Sequence, residues 1–161
     1  MPTKNLLNSK DEAALNEAVH AELYASHLYK HVANQMQRAG FFGAQKWFLK
    51  ESADELAHYQ RHADFLNDMG SVAVPPDIEG HTNTISTLRA ALQLAYDTEY
   101  QLMLDYSKWY AGASPVVAQF LLQFLEIQRG SVGEYGDWLA RLDLAGDDLA
   151  ATLIIDKELA E

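Results

Sequence analysis

Residues 51–62 read E-S-A-D-E-L-A-H-Y-Q-R-H and set Glu55 and His58 three positions apart. On a helix, side chains three apart share a face, so the two can grip one ion together. Helix bundles build this Glu-x-x-His spacing into their cores to hold paired metal ions. On its own such a pair is more often two solvated side chains, because charged residues are rarely buried. The flanking chain has to supply the rest of a site.

Reading outward, the segment belongs to one of four long helical patterns. Ser9 and Glu12 have the spacing of a capping box. A first helix is expected over about residues 10–38, stopped by Ala39 and Gly40. The second spans about 43–69, with Gly70 as its C-terminal stop. Residues 71–83 contain two prolines, a glycine and no periodicity, which describes a long connection rather than a tight turn. A third helix follows over about 84–111, and a fourth over about 115–142, with Ser114 as N-cap and Pro115 at the first helical position. Asp147 or Asp148 then caps a short last helix over about 149–160. Helices of about 28 residues are about 42 Å long. Two short connections flanking one long one predict an all-α, four-helix bundle in a single domain over residues 1–161. The long crossover makes the second and third helices parallel.

Spacing of 3.5 residues marks the seam of each helix. The stripes run Leu15, Val19, Glu22, Ser26, Tyr29, Ala33, Met36; then Phe48, Ser52, Glu55, Tyr59, His62, Leu66, Met69; then Leu88, Leu92, Ala95, Glu99, Leu102, Tyr106, Trp109; and Leu121, Leu125, Gln128, Val132, Tyr135, Leu139, Leu142. Each is mainly apolar, yet each carries a carboxylate or amide near its middle. No Lys or Arg occupies a stripe position. Three carboxylates meeting in a core would cost several kcal/mol each if left unpaired. Two divalent cations bring four positive charges against three negative ones. Oxygen donors with one imidazole suit iron or manganese better than copper, and zinc prefers a tighter tetrahedral set.

Other residues are weighed on the same stripes. Tyr29 lies two turns beyond Glu22, where it can donate a hydrogen bond or an electron, or simply pack as a core aromatic. Asp54 points about 100° away from Glu55, as a solvated or access-route residue. His62 is expected to be a packed or hydrogen-bonded histidine, since the carboxylates already meet the ligand count. His20, His27, His31 and His81 share no pattern. Gly130, Gly133 and Gly136 line one side of the fourth helix, where close approach of another helix or a local bulge would explain them.

Composition bounds the function. The 161 residues carry a net charge of −11 and are 48% hydrophobic, with no cysteine. That excludes thiolate metal sites and disulfides. It also disfavours nucleic acid and anionic membranes, both of which need basic patches. No apolar run is long enough to span a membrane and no signal-peptide h-region precedes the first helix, so a cytoplasmic location is expected.

The sequence resembles the ferritin family over nearly its whole length. L-N-E-A-V-H-A-E-L-Y-A-S-H-L-Y (15–29) is similar to the family's first helix, with Glu22 as an iron ligand and Tyr29 as the tyrosine beside the centre. D-E-L-A-H (54–58) is similar to its second-helix motif, which implies Glu55 as the bridging ligand and His58 as the nitrogen ligand. Glu99 in Y-D-T-E-Y falls where the third-helix glutamate lies. E-I-Q (126–128) resembles the segment ending in the glutamine near the second metal, here Gln128. R-L-D-L-A-G (141–146) and L-I-I-D-K-E-L (153–159) are similar to the end of the fourth helix and the short fifth helix of bacterial ferritins. The resemblance implies a 24-subunit cage that binds Fe(II) at a di-iron ferroxidase centre inside each subunit. It implies oxidation by O2 or peroxide and storage of ferric mineral.

Departures refine what the resemblance implies. Ile127 and Ser131 stand where many bacterial ferritins carry glutamates for a third iron, so that site is expected to be absent or altered. Residues 115–124 contain no Asp, Glu or His, so the acidic threefold route of animal ferritins is not expected. Leu56 stands where bacterioferritins place a haem-ligating methionine, so no haem is expected. Rubrerythrins need cysteines, and the starvation-type mini-ferritins lack the fifth helix. Two further readings remain open: a di-iron oxidase or peroxide scavenger that stores no iron, and a structural bundle without metal.

Overall fold

The computed structural model describes residues 4–161 and contains five helices and no strands among them. They are α1 (Ser9–Ala39), α2 (Phe42–Asp68), α3 (Leu88–Gly112), α4 (Pro115–Ala145) and α5 (Leu149–Leu159). The fold is an all-α four-helix bundle with a short C-terminal helix. α1 packs chiefly on α2 and α3 on α4, while α5 lies across α2 and α4.

The helix ends differ from expectation where local signals compete. Asn8 caps α1, its Oδ1 accepting from Asp11 N at 2.8 Å. The Ser9–Glu12 capping box does not form, because Glu12 accepts from Ser71 in the crossover instead. Gly40 ends α1 as expected, at φ +92. The C-cap of α2 is Met69, and Gly70 follows it in the left-handed region at φ +84. α3 begins four residues later than expected, since Thr87 is its cap and accepts from Ala90 N. The crossover continues to that point, tied to α1 by Ile85 N donating to Gln35 and by His31 Nε2 meeting the Asn83 carbonyl at 2.7 Å. α4 runs three residues past expectation, to Ala145. Ser114 is its N-cap but makes no side-chain cap bond; its own N–H donates to Asp11. Asp148 caps α5, accepting from Ala150 and Ala151.

All seven predicted stripe residues of α1 and of α3 are buried. On α2, Phe48, Ser52, Glu55, His62 and Leu66 are buried, as are Leu121, Gln128, Tyr135 and Leu142 on α4. The remaining stripe residues lie half-buried at the margin. The core forms two apolar clusters. One contains Tyr29, Met36, Phe48, Leu88, Leu92 and Tyr135 and reaches α5 through Ile155 and Leu159. The other contains Leu15, Leu66, Leu102, Tyr106, Leu121 and Phe124. The polar layer of Glu22, Glu55, Glu99 and Gln128 sits between them. Chain direction follows from the flanking rings: Tyr29 of α1 meets Phe48 of α2 at 5.7 Å, as antiparallel neighbours should. His62 and Tyr106, each seven residues past the layer, sit side by side, so α2 and α3 are parallel.

No close approach explains Gly130 and Gly133. A Cβ at either would meet nothing within 4 Å, and one at Gly136 would make only an ordinary contact with Tyr96. The expected tight packing there is absent because α4 turns this edge outward.

Gly43 is different. A Cβ there would fall 1.6 Å from the carbonyl oxygen of Asp156. The α5 backbone lies against the start of α2, and the buried Asp156 carboxylate accepts from Gly43 N at 3.0 Å and Ala44 N at 2.7 Å. α2 has no side-chain cap of its own, so a carboxylate 113 residues away in sequence caps it. Its charge also complements the positive end of the helix dipole. Removing such a cap leaves two donors unpaired, so Asp156→Ala is expected to lower unfolding free energy by about 1–3 kcal/mol. Urea denaturation measures this, and an unchanged midpoint would contradict the capping role.

Candidate metal centre

At the middle of the bundle, Glu22, Glu55 and His58 each present a ligand atom within 4.8 Å of the others. It is the one such group of His, Asp and Glu among the described residues. Glu22 and Glu99 are fully buried, and Glu55 is nearly so. His58 is half-buried and turns Nδ1 inward, 3.0 Å from Glu55 Oε2 and 3.6 Å from Glu22 Oε2. Glu99 stands across the layer, accepting from Gln128 Nε2 at 2.6 Å and from the Tyr29 hydroxyl. The Tyr106 hydroxyl donates to Glu22 in the same way. The six residues named from the sequence thus fall into two contact groups, Glu22, Glu55 and His58 in one and Glu99, Gln128 and Tyr29 in the other.

Two buried oxygens lack partners: Glu22 Oε2 and Gln128 Oε1. Buried polar atoms are nearly always hydrogen-bonded, so an orphaned carboxylate oxygen in a core marks a place where something else binds. No Lys or Arg pairs with these carboxylates. Donors of this kind, two or three carboxylates with one imidazole and one amide oxygen, fit hard or borderline divalent ions.

The electrostatics agree. Burial raises the Glu55 carboxyl well above the usual range, and the Glu22 charge beside it adds to the rise. Burial also pushes Glu22 up, but the neighbouring His58 and Glu55 side chains outweigh it, and the net direction is down. Burial raises Glu99 too, against the opposing hydrogen bonds from Tyr29 and Gln128. Burial and the neighbouring glutamate charges push the Tyr29 and Tyr106 hydroxyls far up, so both remain donors. A cation in the layer would relieve the like-charge repulsion.

A depression of about 330 Å³ opens from the layer to the surface, lined by Glu51, Asp54, Glu55, His58, Ser131 and Glu134 among others. Asp54 lies on this outer wall and pairs with Lys50, away from the ligand atoms. The larger groove of about 470 Å³ between α1 and α3 includes His20 and Tyr24 and does not reach the three clustered ligands. His62 is fully buried, its Nδ1 on the His58 carbonyl at 2.9 Å and its ring 4.1 Å from Phe124.

Several participants were not singled out from sequence. Tyr106 lay on the third stripe as an apolar filler. Glu51 lay off the stripe, yet Tyr135 donates to it at 3.1 Å and Trp47 donates to Tyr135. His31 and His81 do come together, their rings stacked at 5.8 Å, because the crossover folds back over α1. Nothing local in the sequence marks that contact.

Burial, with the Glu99 charge, raises Glu51 from its ordinary 4.5 to about 7. Between those values the folded chain holds a proton that the unfolded chain has lost, so stability falls as pH rises. Metal-free protein is therefore expected to lose denaturation midpoint from about pH 5 to about pH 7, and Glu51→Gln to flatten that loss. An equally steep loss in the variant would remove Glu51 as a source.

Known proteins share this fold. The profile of the ferritin-like domain matches residues 12–145. A probable bacterial non-heme ferritin-like protein of Haemophilus influenzae is 26% identical over 149 residues, spanning 90% of each chain. A bacterial non-heme ferritin of Escherichia coli is 28% identical over 151 residues, spanning 91% of each. An open-pore ferritin from the archaeon Archaeoglobus fulgidus superposes with a TM-score of 0.92 at 24% identity, covering 98% of both chains. With the domain match, the five-helix fold and the buried carboxylate layer together, this chain belongs to the ferritin family and is similar to its prokaryotic non-haem members.

Proposed function

We propose that the chain binds Fe(II) as substrate at a dinuclear site in the middle of the bundle, oxidises it, and stores the ferric product in a cage of 24 copies. Membership of the ferritin family supports iron storage and iron oxidation in general terms. The observation that carries the finer reading is the buried layer itself: Glu22, Glu55 and His58 converge, with no cationic side chain to balance them.

In this reading Glu22, Glu55 and His58 hold the first iron. Glu99, with Gln128 turning its orphaned Oε1 inward, completes a second position, and Glu55 lies between the two. Two Fe(II) ions give up two electrons, which reduce one O2 to peroxide or one peroxide to water. The protein holds the ions side by side and excludes bulk water with the two apolar clusters. Tyr29, donating to Glu99, stands next to the reacting pair and can supply a further electron. The acidic depression by Glu51, Asp54 and Glu134 offers cations a path from the surface.

Assembly draws on a different surface. Phe42, Leu49 and Leu56 repeat every seven residues along the outside of α2 and are 61%, 47% and 45% exposed. An apolar stripe of this kind suits burial against another copy. No helix among the described residues is long and apolar enough to cross a membrane.

Rapid mixing of Fe(II) with oxygenated protein tests the reading. Glu55→Ala is expected to lower iron-dependent O2 uptake by about 10–100-fold, the range found for lost metal-site contacts, while electron microscopy finds its shells without dense cores. Uptake equal to the parent's would sink the ferroxidase reading. Tyr29→Phe is expected to slow later turnovers more than the first binding of iron, and unchanged kinetics in every phase would count against a redox part for Tyr29.

A further inference from the structure

The four long helices repeat one spacing. Seven residues after Glu22, Glu55, Glu99 and Gln128 stand Tyr29, His62, Tyr106 and Tyr135. Seven residues is about two turns, so each lies on the same face as its layer residue. α1 runs against α3, so Tyr29 and Tyr106 fall on opposite sides of the layer and reach across it. Tyr29 donates to Glu99 of α3, and Tyr106 donates to Glu22 of α1.

The two sides differ in one respect. Glu99 has both oxygens engaged, one by Tyr29 and one by Gln128. Glu22 has only Oε1 engaged, by Tyr106, and Oε2 is orphaned. Tyr106 also faces a second acceptor, His62 Nε2, at 3.0 Å. The His62 ring aims Nδ1 at the His58 carbonyl. A carbonyl only accepts, so Nδ1 carries the hydrogen and Nε2 carries a lone pair. One phenolic hydrogen thus serves two acceptors, of which it can satisfy one at a time. The rings themselves are held in place: Tyr106 stacks on Phe124 at 5.4 Å, and His62 packs against Phe124 and Phe120. Only the hydroxyl hydrogen is free to turn.

We propose that Tyr106 is a hydroxyl rotor that sets how strongly the second oxygen of Glu22 can bind a metal ion, with His62 as its alternate acceptor. With the hydroxyl on Oε1, one lone pair of that oxygen is taken and Oε1 is the poorer donor, so Glu22 binds chiefly through Oε2. With the hydroxyl turned to His62, both oxygens are available. The hydroxyl stays hydrogen-bonded in either state, which avoids the penalty of a buried unsatisfied donor. The proton stays on the tyrosine oxygen throughout and no bond is made or broken. Tyr106 and His62 are positioning residues that act through Glu22. The proposal rests on the metal-centre reading above.

The consequence is a pair of opposed variants. Tyr106→Phe leaves Glu22 Oε1 without its donor, which harms the metal-free protein and is repaired when a metal binds. His62→Leu removes the alternate acceptor and keeps Tyr106 on Glu22. Cobalt(II) is a suitable probe, because its visible absorption weakens as its coordination number rises. Tyr106→Phe is expected to melt earlier without metal, to bind the first Co(II) about fivefold tighter and to show weaker absorption, whereas His62→Leu binds it about fivefold less tightly with absorption no weaker than the parent's. Two variants moving in the same direction, as two merely structural lesions would, overturn the proposal. So does Tyr106→Phe with unchanged affinity and spectrum, a result that stands even if His62→Leu fails to assemble. Glu55→Ala separates the other failure: if it binds Co(II) as the parent does, the metal centre itself is misplaced and the rotor falls with it.

Discussion

Three glutamates face one another in the middle of this bundle with no lysine or arginine among them. The rest of the molecule is arranged around that constraint. Burying a carboxylate is costly unless it is hydrogen-bonded or neutralised, and each one here has its own remedy. Glu99 takes two donors, Glu22 takes the Tyr106 hydroxyl, and Glu55 pairs with His58 while burial raises its carboxyl. These remedies are incomplete, since an oxygen of Glu22 and one of Gln128 remain unpaired. A layer that is tolerable when empty and better satisfied when filled is what reversible cation binding requires. The two apolar clusters on either side supply the stability that lets the chain carry such a layer.

Topology decides which residues serve which carboxylate. The crossover makes α2 parallel to α3, so the residues seven past Glu55 and Glu99 come to the same side, and His62 meets Tyr106. α1 is antiparallel to α3, so the corresponding Tyr29 falls on the other side, against Phe48, with Tyr135 beyond it. Had a tight turn joined α2 to α3, these helices would run in opposite directions. His62 and Tyr106 would then lie on opposite sides of the layer, and the contact between them could not form. The long connection therefore does more than link two hairpins: it composes the surroundings of each carboxylate in the layer.

The fifth helix shows the same dependence at the edge of the bundle. α2 begins at Phe42 without a capping side chain of its own, and Asp156 supplies the missing acceptor from the far end of the chain. The absence of a Cβ at Gly43 is what allows the α5 backbone to come so near.

Much of this was legible in the chain. The seven-residue stripes specify four helices, their inward faces and the level at which Glu22, Glu55, Glu99 and Gln128 meet, because helical periodicity converts spacing directly into a face. His58 follows from its place three residues after Glu55. Contacts between elements distant in sequence were not legible. Asn8 rather than Ser9 caps α1 because Glu12 is drawn to Ser71 of the crossover. α3 starts at Leu88 rather than at position 84 because the crossover first pairs with α1 through Gln35 and His31. Glu51 and Tyr106 took on significance only when Tyr135 and Glu22 arrived opposite them. A periodic pattern states which way a side chain faces along its own helix. What stands across from it depends on the direction and rotation of the neighbouring helix, and packing alone decides that.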